Sequence, residues 1–128
     1  MSDPWNDRAL ALFHAVADTV GQHLLGVTDW GLSRARSGQY LADVGADAVV
    51  VGALSAAGFA VLSEESGWTG RAAGRDVVVV DPLDGSTNAS RGIPWFATAL
   101  CLVDDTGPRV ALVANQASGE RFWALRGG

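Results

Sequence analysis

The chain has 128 residues, 48% of them hydrophobic, with nine Arg, no Lys, fourteen acidic residues and a net charge of −5. That length accommodates one globular domain, residues 1–128, with a packed core. The acidic balance excludes the basic stripe that would hold a nucleic acid polymer or an anionic membrane, so an anionic substrate needs a local device to bind.

One cysteine, Cys101, rules out an intrachain disulfide and any cysteine-based metal spacing, and it fits a reducing compartment. The first twenty residues carry Asp3, Asp7, Arg8 and Asp18, which is neither the cationic start nor the apolar core of a secretory signal. No stretch approaches the roughly 20 apolar residues of a membrane span. The expected location is the cytoplasm.

In chain order, Asp3-Pro4 predicts a helix start, and Trp5, Ala9, Leu12, Phe13, Val16, Val20 and Leu24 keep three- and four-residue spacing until Gly26. A polar, glycine-containing loop follows. A second apolar helix is expected from Val44 to Ala57, capped by Asp43 and closed by Gly58. Beyond it the period becomes strand-like, over Phe59–Leu62, Val77–Val80, Phe96–Val103, Val110–Val113 and Phe122–Leu125. Two helices followed by five strands, with a hairpin at Asp105-Thr106-Gly107, predict an α+β fold: helices packed on a mostly antiparallel sheet.

The run Val77–Val80 has no polar alternation and predicts a strand buried on both faces, which ends at Asp81, with Pro82 stopping the ladder. Asp84 follows, and then Gly85-Ser86-Thr87-Asn88, the composition of a turn opening a helix whose free N–H groups attract anions. A second acidic pair, Glu64-Glu65, stands just past the strand Phe59–Leu62. If the two strands pair, four carboxylates converge. Two such charges about 4 Å apart repel by roughly 4 kcal/mol at an effective dielectric of 20, which cations relieve. Oxygen ligands without His or Cys select a hard ion, Mg²⁺ before Zn²⁺, and paired ions suit phosphate esters. Alone, Glu64-Glu65 reads as a solvated turn and Asp-Pro-x-Asp-Gly as a tight turn; their conjunction at two strand ends points to chemistry.

The stretches Leu62-Ser63-Glu64-Glu65-Ser66-Gly67 and Asp81-Pro82-Leu83-Asp84-Gly85-Ser86-Thr87-Asn88 resemble the paired metal motifs of the inositol monophosphatase family of Mg²⁺-dependent, lithium-sensitive phosphatases. The two N-terminal helices, Arg91 to Ala97 and Gly119 to Ala124 extend the likeness to that family's first half, an inositol monophosphatase/fructose bisphosphatase-like α/β layered sandwich. The resemblance implies that Glu64 and Asp81 bind a first Mg²⁺ with the carbonyl of Leu83, and that Asp84 joins Asp81 on a second. Glu65 is the weaker candidate. Ser86 stands where the family usually has threonine; with the helical acid Asp47 it would orient the attacking water, while Gly85, Ser86 and Thr87 donate to the phosphate. Glu64, Asp47 and Ser86 are thus the implied catalytic residues.

The chain departs from the family in having Arg34 and Arg36 where a lysine is common, and Tyr40-Leu41-Ala42-Asp43 ahead of the second helix. Arg71 and Arg75 fall between the acidic clusters, within reach of a phosphate or simply in a solvated loop. The family's second half, with another metal aspartate and most substrate-reading residues, has no counterpart here. The expected substrate is a small phosphate monoester, such as an inositol phosphate, a sugar phosphate or histidinol phosphate. The other reading is a non-catalytic metal- or phosphate-binding remnant acting as an interaction module. Strands apolar on both sides need two covers and the helices supply one, so a homodimer or a separate C-terminal partner is expected. His14 and His23, on the first helix, read as structural or solvent-facing rather than as ligands, and the five tryptophans as core or interface.

Overall fold

The computed structural model describes residues 3–33, 38–70 and 76–128; Arg34, Arg36, Arg71 and Arg75 lie outside the described residues. Helix α1, Pro4–Leu25, starts where Asp3 Oδ1 accepts the Trp5 N–H at 2.8 Å and ends at Gly26. Its buried residues, Asn6, Ala9, Phe13, Val16, Ala17, Val20 and Leu24, form one stripe at the expected spacing.

Helix α2 spans Leu41–Ala56 and so begins three residues before the expected start. Asp43 is not the cap residue. It lies in the first turn, and its Oδ2 accepts the Tyr40 N–H at 2.8 Å, serving a free donor from inside the helix. The two helices approach closely at Gly45, where an added Cβ would stand 2.5 Å from His23 Nε2.

Six strands follow: β1 Ala60–Ser63, β2 Gly67–Thr69, β3 Val77–Asp84, β4 Ala97–Asp104, β5 Gly107–Asn115 and β6 Arg121–Leu125. They form one sheet in the order β2-β1-β3-β4-β5-β6. Among the described strands only β1 and β3 run parallel; the other neighbours are antiparallel. Strand β2 was not expected, because three residues after a turn are too few to show a period. A short helix, α3, Ser86–Ser90, connects β3 toward β4.

Both helices cover the same face of the sheet. Val61, Val78, Val80, Leu100, Leu102, Val110, Leu112 and Ala114 are buried beneath Phe13, Val16, Val20, Val50 and Leu54. Among the described residues no helix covers the other face. The register runs one row of residues across all six strands there, Trp68, Leu62, Val79, Cys101, Ala111 and Ala124, and a second row through Ala99, Val113 and Phe122. Val79 is 39% exposed, Val113 42% and Phe122 64%. The expectation that Val77–Val80 is buried on both faces therefore fails: an apolar run reports a preference for burial, and among the described residues only one side has helices to provide it. Of the five tryptophans expected in the core or at an interface, Trp30 packs against the core, partly buried, while Trp5, Trp68, Trp95 and Trp123 are exposed.

Candidate functional site

The parallel pairing of β1 and β3 aligns Ser63 with Val80, and the Glu64 N–H continues the ladder to the Val80 carbonyl at 3.0 Å. Both acidic ends thus leave the sheet at one edge, as their strand positions require. Strand β1 is braced from behind by α2, since the buried Ser63 hydroxyl donates to Asp47 Oδ1 and accepts the Glu65 N–H at 3.1 Å.

Pro82 does not stop β3. The ladder continues from the Asp81–Ala99 pair to the Asp84–Ala97 pair across a register shift, so the proline sits in a bulge where its missing N–H costs nothing. The bulge is held by a polar chain that runs through the core. The buried Thr98 hydroxyl donates to the Pro82 carbonyl at 2.8 Å, and Gln116 Nε2 donates to Thr98 Oγ1 and to the Ala17 carbonyl, each at 3.0 Å. These supports carry no motif and become visible only when β4, β5 and α1 are brought together.

After the bulge, Gly85 takes φ +88°, and a Cβ there would meet the Trp95 carbonyl oxygen at 2.9 Å. Only glycine fits that turn. It opens α3, whose Ala89 N–H returns to the Gly85 carbonyl at 3.0 Å. Asn88 Nδ2 donates to the Trp95 carbonyl at 2.9 Å, tying α3 to the loop before β4. Thr87 Oγ1 meets Tyr40 Oη at 3.1 Å, so α3 also touches the entrance to α2; this contact draws the Tyr40 hydroxyl below its ordinary pKa.

A cleft of about 330 Å³ opens between these parts, lined by Gly38, Gln39, Asp43, Glu64, Glu65, Asp81, Leu83, Asp84, Gly85 and Ser86. Glu64, Asp81, Leu83, Asp84, Gly85 and Ser86, expected at the site, therefore share one cavity. Thr87, also expected there, does not line the cleft; its hydroxyl is bonded to Tyr40. Asp47 does not line the cleft, and its carboxylate is engaged by Ser63 rather than by Ser86. Asp43 and Gln39 were missed. Asp43 was read only as a helix cap, yet a residue one turn into α2 faces the same space. Gln39, buried, donates from Nε2 to Glu65 Oε2 at 2.6 Å, a contact across 26 residues that no local pattern carries.

The electrostatics centre on Asp81. Burial pushes its carboxyl up to about 6, and the negative charges of Asp84, Glu65 and Asp43 push the same way against an opposing hydrogen bond from the Leu83 backbone. Its Oδ1 is buried without a hydrogen-bond partner among the described residues. Five carboxylates, with no basic residue among the described residues that line the cleft and with the Asp81 Oδ1 oxygen unpartnered, suit a hard cation. In this structure no three His, Cys, Asp or Glu side chains among the described residues close on one point at ligating distance. The donor chemistry thus fits a divalent ion, while the described side chains stand apart.

Comparison with known proteins agrees with this fold. The sequence pattern of the inositol monophosphatase family matches residues 34–128. A histidinol-phosphatase of Mycobacterium tuberculosis is 41% identical over 70 residues, covering 55% of this chain and 26% of that protein. An inositol-1-monophosphatase of Mesorhizobium japonicum is 35% identical over 89 residues, covering 68% of this chain and 34% of its own length. Among solved structures, the extragenic suppressor protein suhB of Bartonella henselae superposes with a TM-score of 0.80 at 27% identity, covering 94% of this chain and 50% of that one. This chain therefore spans about a quarter to a third of those two curated relatives in the matched region, and half of that solved structure. With its helices packed on a mixed, mostly antiparallel sheet and its acidic strand ends gathered in one cleft, the chain belongs to the inositol monophosphatase family.

Proposed function

We propose that residues 1–128 form the N-terminal metal-binding domain of a Mg²⁺-dependent phosphatase that hydrolyses a small phosphate monoester in the cytoplasm. The observation that carries the reading is Asp81: a carboxylate beside the bulge of β3, one oxygen unpartnered among the described residues, in a cleft walled by four other acids. The names of the relatives support a phosphate ester as substrate, with inositol monophosphate, a sugar phosphate and histidinol phosphate as the candidates.

Glu64, Asp81, Asp84 and the Leu83 carbonyl are the residues to hold Mg²⁺. The ion supplies positive charge against the phosphoryl oxygens and acidifies a nearby water. Backbone and hydroxyl donors of Gly85, Ser86 and Thr87, at the turn into α3, would orient the phosphate. Ser86 and Asp47 would align the attacking water, which requires Asp47 to serve Ser86 in addition to Ser63.

The open sheet face supports a partner that covers it, either a second copy in a homodimer or a separate C-terminal polypeptide. The net charge of −5 argues against a nucleic acid polymer, and among the described residues no helix is long and apolar enough to cross a membrane. The absence of a closed set of ligands among the described residues favours a second reading, a non-catalytic metal- or phosphate-binding module. Turnover of a panel of phosphate monoesters, measured with Mg²⁺ and after its removal, separates the two. Mg²⁺-dependent release of phosphate supports the enzyme; no release from the chain alone or with its partner bound supports the module.

A further inference from the structure

Two residues that lead into α2, Gln39 and Tyr40, clasp the acidic cleft from both banks. Tyr40 has an extended backbone, φ −94° and ψ 156°, and neighbouring side chains of an extended chain point opposite ways. The Tyr40 hydroxyl meets Thr87 Oγ1 in α3, which follows β3, while Gln39 Nε2 donates to Glu65 Oε2, just past β1, at 2.6 Å. The segment that carries both is itself held. The Gln39 carbonyl accepts the Ser33 N–H at 2.6 Å, the Leu41 N–H donates to the Gly31 carbonyl at 2.9 Å, and Leu32 and Tyr40 form a β-bridge between them. Gln39 is buried, so its amide is given to this contact rather than to water.

An ionised carboxylate only accepts hydrogen bonds, so the amide nitrogen is the atom that faces it. Glu65 is then fixed at two points, its N–H on the Ser63 hydroxyl at 3.1 Å and its carboxylate on Gln39. Each anchor is tied to α2, the first through Asp47 and the second through the chain entering the helix. The chemistry of the second anchor matters. A Lys or Arg could hold the same oxygen, but its positive charge would offset one of the five carboxylates that the cleft offers to a cation. A neutral amide orients Glu65 and leaves the charge whole.

We infer that Gln39 is a positioning residue of this cleft that acts through Glu65: it holds the Glu65 carboxylate in the wall with its charge uncancelled, so that Glu65 takes part in retaining the divalent cation. The inference rests on reading the cleft as a cation site. It gives Glu65, the weaker ligand candidate by sequence, a defined part, and it belongs to this chain's own approach to α2.

The test titrates Mn²⁺ alone into the full chain by calorimetry, in the parent and in Gln39→Leu, Glu65→Gln, the double variant and Gln39→Lys. Gln39→Leu keeps the bulk and removes the donor; it should weaken Mn²⁺ binding by roughly fivefold, and Glu65→Gln by at least as much. Because Gln39 acts through Glu65, the double variant should bind no more weakly than Glu65→Gln alone. Gln39→Lys keeps a donor for Glu65, so without metal it should melt no lower than the parent, yet it should bind Mn²⁺ more weakly, a result that a purely structural contact would not give. If Gln39→Leu does not fold, the Gln39→Lys and Glu65→Gln titrations decide. Unchanged Mn²⁺ affinity in any of the single variants, or losses that add in the double variant, overturn the inference while leaving the cation site in place. A parent chain that takes up no Mn²⁺ overturns the cation reading and the inference together, which separates the two failures.

Discussion

The two faces of the sheet are made from nearly the same residues and differ in what lies over them. Strand β3 places Val78 and Val80 under the helices and Val77 and Val79 on the other side, and strand β5 does the same with Leu112 and Val113. On the covered face the valines and leucines are at or near zero exposure; on the open face their neighbours in sequence remain partly in water. Hydrophobicity thus states what a side chain gains from burial, while the energy appears only where another element supplies the cover.

That difference breaks most clearly under truncation. On the covered face Phe13→Ala should cost roughly 3–5 kcal/mol, the transfer loss plus an unfilled cavity, a large share of the roughly 5–15 kcal/mol that holds a domain together. Chemical denaturation of the chain should show it as a lower midpoint with unchanged slope. The matching change on the open face, Val79→Thr, should stay within about 0.5 kcal/mol. If Val79→Thr costs clearly more than that figure, the open face is covered in solution.

The sheet edge sharpens the contrast from another side, since there the problem is excess charge. Mg²⁺ or Mn²⁺ binding only the folded state should stabilise it by about 2.7 kcal/mol at a hundredfold excess over Kd. Replacing Asp81 with Asn should remove most of that gain in a thermal melt. An unchanged midpoint for the parent chain in Mg²⁺ would remove the metal site from the reading.

Support behind the edge has its own test. Ser63→Ala leaves the buried Asp47 carboxylate without its donor and should cost about 1–3 kcal/mol. It should cost more than Ser66→Ala, at an exposed position in the turn after β1. Equal small effects at both positions would mean that Asp47 finds another partner.

Without metal, Asp81 should also make stability depend on pH. Its folded-state value of about 6 lies above the ordinary 3.8, so the folded chain holds the proton more tightly than the unfolded chain. The resulting stability is fully present below the unfolded value and is lost as pH rises through 6. Allowing for solvent screening, the change is on the order of 1–2 kcal/mol between pH 4 and 7. Melts of Asp81→Asn over the same range should lack this component, and an identical pH slope in both proteins would assign it to other groups. Light scattering reads the smallest effect, whether the open face draws copies of the 13.3 kDa chain together at micromolar concentration.

Much of the fold was legible because it depends on near neighbours in sequence. The stripe from Ala9 to Leu24 has a helical period, Asp3 and Gly26 mark its ends, and Asp104 to Gly107 has the length of a hairpin connection. Local signals failed where they competed. Asp43 is a good cap residue by composition, but the helix begins earlier and Asp43 serves Tyr40 from within the first turn. Pro82 is a strand breaker by composition, and a bulge absorbs it because Thr98 takes over its carbonyl.

By itself the sequence determined that acidic residues stand at the ends of two apolar runs, that a Gly-Ser-Thr-Asn turn follows the second, and that the conjunction matches one family of phosphatases. These are properties of adjacent residues, and the pleat or helix period transmits them directly into structure. Only the tertiary structure decided that the two runs lie side by side in parallel, so that Glu64 meets Val80 and the two acidic ends face one cleft. It also brought Asp43 and Gln39 into that cleft, gave the Asp47 carboxylate to Ser63, and left one face of the sheet without a cover among the described residues. Those outcomes depend on contacts between residues far apart in the chain, whose partners are chosen by how α1 and α2 pack on the sheet.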